Sequence, residues 1–539
     1  MEPSKNSLLK LLKDRREEIF LNLGLIALFS VGLVFGIRAL SGLTLFTFVD
    51  EVEKFVAAKM INDGMHLYKD IFAHHGLLPY LLVHLYTKVV SPTNFSFARV
   101  INLIFALFSA LAIFTSPILD TFSKKVWGVA FFIAGLSPVW LIQGLHFVLH
   151  HSLGGLLFVI PVMHLVLPAM FLGEVSKRGV FISGAFIVLM CFTSYPLGVP
   201  AILLTLSALL SIRVSAQMRK QIFLYFLLGV LITTGLLLLW LWVFGDLVGY
   251  YVYHFYFNQT VYKDIIRFDL THVFKNFRLW TSPKKLVHLT SFVQMVIWFL
   301  LSSPLLLIKR NNHKVAKLGS LFLLLFGVLM LNSRGNQGID NAGFVIANIA
   351  ILSAVIVALF GGMKDKRYQW LIVLLFIITV TTIEFIGGVS KSAPHEVMRK
   401  DFDQYHFAHE PSMEEPYELI RRFVEKDEKI QVLVFDPVVY IKANRLPASG
   451  NIYYLPWQAT YNRQPLLNYR IDLCADILDS QPKIIWFDHW VVYGRYSIDD
   501  YEPCFTEILK RDYLKLKDDE NIYVQTRFAE EAGFTDLLP

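Results

Sequence analysis

Long apolar runs separated by short polar breaks dominate the first three quarters of the chain. The stretches 222–245 (IFLYFLLGVLITTGLLLLWLWVFG) and 341–361 each supply the ~20 consecutive apolar residues that a helix needs to cross a bilayer. Similar runs recur at 19–41, 97–118, 127–145, 152–172, 178–194, 196–212, 288–308, 316–332 and 368–388. From about residue 394 the pattern changes. Helix-like stretches at 415–427, 468–480 and 502–512 alternate with short apolar runs, QVLVFD at 431–436 and KIIWFD at 483–488, which predicts a small α/β layer. The expected fold is an α-helical polytopic membrane protein with a C-terminal soluble α/β domain.

Composition agrees. The 539 residues are 55% hydrophobic and 17% charged, where soluble proteins carry about 25% charge. The net charge of +7 would suit nucleic acid, but the basic residues sit in short clusters between apolar runs. They are read as topology, with no nucleic-acid partner. Lys5, Lys10, Lys13, Arg15 and Arg16 precede the first run, so residues 1–18 are expected to be cytoplasmic. No small-residue cleavage site follows, and the first span is read as uncleaved.

The segment 76–91 (GLLPYLLVHLYTKVVS) decides the count, being short for a span and interrupted by Pro79, His84 and Lys88. If it crosses, there are twelve spans and the clusters at Lys124/Lys125, Lys177/Arg178, Arg213/Arg219/Lys220, Lys309/Arg310/Lys314/Lys317 and Lys364/Lys366/Arg367 all face outward. If it lies along the outer interface, there are about eleven spans and every cluster is cytoplasmic, as the charge rule requires. The expected organisation is a transmembrane domain over 19–393, with outer loops 42–96 and 246–287, and an extracytoplasmic α/β domain over 394–539. Cys474 and Cys504 both fall in that tail, where they either pair in an oxidising compartment or remain two free thiols.

Candidate chemistry collects on the outer face. In LFTFVDEVEKF (45–55), Asp50 is a natural N-cap, Glu53 completes a capping box, and Glu51 favours the positive end of the helix dipole. Val52, Phe55, Val56 and Met60 then form the apolar stripe of an interfacial helix. The same acids suit catalysis, and because a carboxylate at mid-bilayer costs roughly 2.5 to 3.5 kcal/mol they must sit at a wet surface or in a cavity. Loop 246–287 opens on YYVYHFYF and carries Lys263, Arg267, Lys275, Arg278, Lys284 and Lys285 against three aspartates; it is either an anion site or an interfacial belt. Arg334, in SRGNQGIDN, offers a fork for a phosphate or is a snorkelling arginine. His74, His75, His150 and His151 either join Asp50 and Glu51 around a divalent metal or pack, with no HxxxH spacing to support the metal; His254 is a weaker candidate. Asp436 and Asp488 end the two apolar runs as ligand groups or as turn residues, and Asn258-Gln-Thr260 is a glycosylation sequon.

The acidic pair after the first span, followed by GMHLYKDIFAHHGLLPYLL and FARVINLIFAL, resembles the first outer loop of the C-type membrane glycosyltransferases. The similar branch includes protein O-mannosyltransferases, the aminoarabinose transferases of lipid A and lipopolysaccharide-core transferases. The loop of that family maps onto Asp50 and Glu51, Gly64, Tyr68 with Asp70, Pro79 and Tyr80. Two departures stand out: His150 and His151 replace an Arg and Asp, and SRGNQGIDNAG replaces an Arg-Tyr-x-x-Pro-like pattern.

The resemblance implies transfer of a sugar from a polyprenyl-phosphate donor to a hydroxyl of a glycan, lipid or protein acceptor on the outer side, with inversion. Asp50 would be the general base and Glu51 would orient a substrate. Tyr68, Asp70, His75, His150, His151, Lys263, Arg267 and Arg334 would bind substrates. No cofactor is certain; a divalent cation on Asp50, Glu51 and His75 is the candidate. The expected location is a bacterial inner membrane with a periplasmic site, the endoplasmic reticulum being the alternative. The competing class is a transporter or flippase of a lipid-linked or anionic substrate, which calls for internal repeats that the chain does not clearly show. A structural membrane protein whose tail binds a partner is the third reading.

Overall fold

The computed structural model describes residues 16–43, 48–90, 95–142, 144–262, 342–360, 415–433, 437–489, 491–492, 494–516 and 521–531. The spans expected at 288–308, 316–332 and 368–388 lie outside the described residues, as do Lys263, Arg267, Arg334 and Asp436. The chain divides into two compact units, one of 1–45, 99–234 and 268–391, the other of 46–98, 235–267 and 392–539.

The first unit is helical. Among the described residues, three helices are long and apolar enough to cross a membrane: Glu18–Leu43, His150–Phe171 and Ala216–Phe244, the last running on past residue 234. Helices Val100–Phe114, Phe122–Ile142, Lys177–Cys191, Tyr195–Ser211 and Ala342–Phe360 occupy other predicted runs. His150–Phe171 is almost wholly buried, whereas the first helix turns Phe29, Leu33, Ile37 and Leu40 outward, and Ala216–Phe244 does the same with Leu224, Leu231 and Leu236. Such faces suit lipid tails.

Lipid is as apolar as leucine, so helices in a membrane associate through close packing, which small residues permit. A Cβ on Gly184 would lie 2.4 Å from the Phe226 carbonyl oxygen, and one on Gly229 would lie 2.2 Å from that of Phe181, so the two helices touch backbone to backbone. A Cβ on Gly155 would meet Gly343 Cα at 2.5 Å.

The second unit holds the polar chemistry. Its sheet has the order β2-β1-β3-β5-β4, with β1 Lys429–Leu433, β2 Leu446–Pro447, β3 Ile484–Phe487, β4 Tyr513–Lys515 and β5 Ile522–Gln525. The two apolar runs of the tail are neighbouring parallel strands, Val432 facing Trp486, and β5 pairs antiparallel with β3 and β4. Leu433, Ile485 and Phe487 bury a core with Leu473, Ile477, Phe505, Ile508 and Leu509 from the helices Leu473–Ser480 and Pro503–Asp512. Cys474 and Cys504 form a disulfide between those helices, with Cα atoms 6.3 Å apart and a sequence separation of 30. Closing such a loop in the unfolded chain stabilises by roughly 3 to 4 kcal/mol.

Helix Val49–Asn62 corrects two expectations. It starts one residue early, so Phe48 holds the N-cap position without a side-chain cap, and Asp50 and Glu51 lie inside the first turn. The capping box does not form. Nor is the helix one-sided: Glu51 through Ala58, Met60 and Ile61 are all buried. Helix Leu77–Thr87, the short helix Val438–Lys442 and β2 enclose it, so it is a core element of this unit.

Two measurements test this packing. Gly155→Ala should destabilise by the ~1 to 3 kcal/mol typical of overpacking, read as a fall in apparent Tm in detergent, while Gly32→Ala, with nothing within 4 Å, should leave the Tm unchanged or raise it. Lys59 donates to the Arg445 carbonyl at 3.2 Å, and burial, reinforced by the Arg445 charge and partly offset by Asp63, pushes it from 10.5 down to about 8. The unfolded chain therefore holds the extra proton between those values, so stability should climb from about pH 8 to 10.5 in wild type, with a flatter slope in Lys59→Met.

Candidate active site

The N-terminal half of helix Val49–Asn62 carries a buried polar cluster. Lys54 Nζ donates to Glu53 Oε2 at 2.8 Å, both side chains being essentially without exposure. His75 Nδ1 lies 3.0 Å from that same carboxylate oxygen and 3.0 Å from Lys54 Nζ. Tyr80 donates to the other oxygen at 2.5 Å, and the Tyr453 hydroxyl also bonds to Glu53. Burial first, then the neighbouring Glu53 carboxylate, hold the Tyr80 and Tyr453 hydroxyls well above the tyrosine range, so both stay protonated donors. On its far side, His75 Nε2 faces Asp50 Oδ2 at 3.8 Å. His75 thus bridges a saturated carboxylate and a second one whose side chain keeps 30% of its exposure, against 2% for Glu53.

His75 owes its place to a loop that the rest of the unit clamps. The Leu67 amide donates to Phe244 and the Asp246 amide to Leu67, while the Phe72 amide donates to Gly450. Tyr68 takes a left-handed φ of 65°, sparsely populated by residues with a side chain. Its ring packs against Tyr80 and Tyr250, and its hydroxyl donates to the His75 carbonyl at 2.9 Å. Gly249 allows the approach, since a Cβ there would lie 1.9 Å from the Tyr68 oxygen. The aromatic run YYVYHFYF is the start of a π-type helix, Tyr250–Tyr262, a geometry frequent at functional sites. Two of its residues hold one carbonyl: His254 Nδ1 donates to His74 O at 3.0 Å and Asn258 Nδ2 at 2.8 Å. Burial lowers His254 to about 4, keeping it neutral. Asn258, the sequon residue, is buried with its amide committed to two carbonyls.

Asp50, His75 and Tyr68 therefore belong to one cluster. Glu51 is buried on the same helix, but the carboxylate that comes together with Asp50 and His75 is Glu53. Asp70 accepts from the His66 amide at 2.8 Å and lies 3.3 Å from its ring, closing its own turn. His150 and His151 belong to the first unit, buried at the start of His150–Pro161 with rings 3.8 Å apart. Lys54 and Tyr453 were not foreseen. A lysine set among Val52, Phe55 and Val56 was the available signal; Tyr453 had none. For a divalent ion, Asp50, Glu53 and His75 offer three ligand atoms within 4.8 Å of one another. The Lys54 ammonium already stands where such an ion would bridge Glu53 and His75 Nδ1, so the donor set fits a resident ion on that side poorly.

The fold is similar to that of a known class, the C-type polytopic membrane glycosyltransferases. The particular likeness is to the aminoarabinose transferase ArnT of Cupriavidus metallidurans: the apo structure aligns over 93% of this chain and 97% of its own with a TM-score of 0.53 at 10% identity. The same enzyme bound to undecaprenyl phosphate aligns over 94% and 97% with a TM-score of 0.52 at 10% identity. An Archaeoglobus fulgidus oligosaccharyltransferase aligns over 92% of this chain and 74% of its own at 13% identity, with a TM-score of 0.43. The ArnT likeness is one of fold. No family model matches the chain, and no curated protein does.

The buried pair yields a double-mutant prediction. Lys54→Met strands Glu53 and should cost about 3 to 5 kcal/mol, read as a large fall in apparent Tm. The combination of Lys54→Met with Glu53→Gln should recover most of it, because no uncompensated charge remains.

Proposed function

We propose that the protein is a membrane glycosyltransferase that takes a sugar from a polyprenyl-phosphate carrier and passes it to an acceptor hydroxyl, with Asp50 as general base. The observation that carries this reading is the division of labour between two carboxylates. Glu53 is consumed by Lys54, His75, Tyr80 and Tyr453, while Asp50, next to it, remains partly exposed and braced by His75. The ArnT fold supports the choice of reaction, and the undecaprenyl phosphate bound to ArnT supports the carrier class.

In the proposed reaction the acceptor oxygen attacks the anomeric carbon as its proton passes to Asp50. The bond between that carbon and the phosphate oxygen breaks, and polyprenyl phosphate departs with the electron pair. A single displacement inverts the anomeric centre. The base contributes roughly 10² to 10⁴ in rate. Lys263, Arg267 and Arg334 are the proposed partners of the leaving phosphate, on the strength of their charge and place in the sequence. A non-cytoplasmic location for the second unit is supported by the Cys474–Cys504 disulfide, a bond of oxidising compartments.

The test supplies membranes with radiolabelled polyprenyl-phosphate sugars and compares wild type with Asp50→Asn. Transfer should fall by about two orders of magnitude or more at equal expression, and the product should carry the inverted anomer. Undiminished transfer by the variant would remove Asp50 from the role, and a retained configuration would remove the single displacement.

A further inference from the structure

Away from the Glu53 cluster, the second unit contains a cavity of about 810 Å³ lined by Arg421, Arg422, Lys426, Lys442 and Arg445, with Glu425 as the one acid among its lining residues. It lies where the end of helix Glu415–Phe423 meets the turn after Val438–Lys442. Its walls are fixed by some of the cations themselves. Arg445 is buried and donates from Nε to the Val424 carbonyl at 3.0 Å, and from Nη1 to those of Ala443 at 3.1 Å and Asn444 at 3.2 Å. Arg421 Nε donates to the Lys442 carbonyl at 3.1 Å.

The remaining cations are exposed and stand over rings or in water. Lys442 Nζ lies 5.0 Å from the Tyr417 ring and the Arg422 guanidinium 5.2 Å from that of Phe423. Among the described residues, Arg421, Arg422, Lys426 and Lys442 form no ion pair with a carboxylate. Like charges crowded together repel one another, which is a cost to the fold. Lys59, on the carbonyl of Arg445, has its affinity for a proton lowered first by burial and then by the Arg445 charge.

We propose that this cavity binds a phosphate-bearing ligand. The Arg422 guanidinium and the Lys426 and Lys442 ammonium groups around this one cavity suit a multiply charged oxyanion, because each contact is a charge-assisted hydrogen bond and arginine can give two in parallel. The volume admits a group larger than one phosphate. The phosphate can belong to a soluble molecule or to a lipid headgroup, and the chemistry of recognition is shared.

The test uses the purified full chain and does not depend on sugar transfer. Inorganic pyrophosphate is titrated into the detergent-solubilised protein at low ionic strength, with calorimetry as readout. In parallel, the thermal stability of the chain is compared in nanodiscs with and without phosphatidic acid. Saturable pyrophosphate binding that weakens at least about tenfold in the Arg422→Gln/Lys426→Gln double variant, and persists in Asp50→Asn, is the expected result for a soluble source. Stabilisation by phosphatidic acid alone, abolished in the double variant, would assign a headgroup. Lys442→Gln serves as a second variant, and all three altered side chains are exposed, so the unliganded fold should hold. Absence of effect in both arms, or an equal effect in the variants and wild type, would overturn the proposal.

Discussion

The ion pair between Glu53 and Lys54 sets the terms for the second unit. Taking two charges out of water costs several kcal/mol per ion, and mutual attraction recovers this only when the remaining lone pairs and protons are also met. Here they are met from separate parts of the chain: Tyr80 and His75 from the loop after the first long helix, and Tyr453 from the tail. Each of those residues therefore has a fixed position to occupy. The arrangement that satisfies Glu53 also leaves Asp50 poised beside His75 with access to solvent.

The loop carrying His75 shows how that position is enforced. Tyr68 holds an unfavourable backbone conformation where its carbonyl packs closely on Gly249, its ring packs on Tyr80 and its hydroxyl donates to the His75 carbonyl. A strained residue persists where its surroundings over-determine it, and such residues gather at functional sites. The two donors on the His74 carbonyl fix the peptide immediately before His75, so the imidazole inherits its direction from the π-type helix.

What could be read from the sequence was what local pattern encodes. Apolar periodicity marked the helices of the first unit, and the alternation in the tail marked β1 and β3 along with the helices that flank them. Asp50 and His75 stood out because acids and histidines beside apolar runs need a reason. Position along the helix did not: the capping motif at Asp50 pointed to a start that tertiary packing moved to Val49, and the apolar stripe concealed a helix buried on nearly every side. Glu53 looked like a cap because its true partners lie in other segments. Tyr453 carried no local mark whatever, and the cationic cavity joins residues from a helix end and a turn that only folding brings together.

Lys59 and Arg445 are separated by 386 residues, and Tyr453 reaches Glu53 across a similar interval. Contacts of such separation form late, since the intervening chain must first be closed into a loop. During synthesis the charged helix emerges near the start of translation, hundreds of residues before the tail that shields it. Until then Glu53 lacks the Tyr453 hydroxyl that completes its set of donors. The cluster that organises the site cannot be completed before Tyr453 is made, and a chain arrested before its tail has the acids of the site without their geometry.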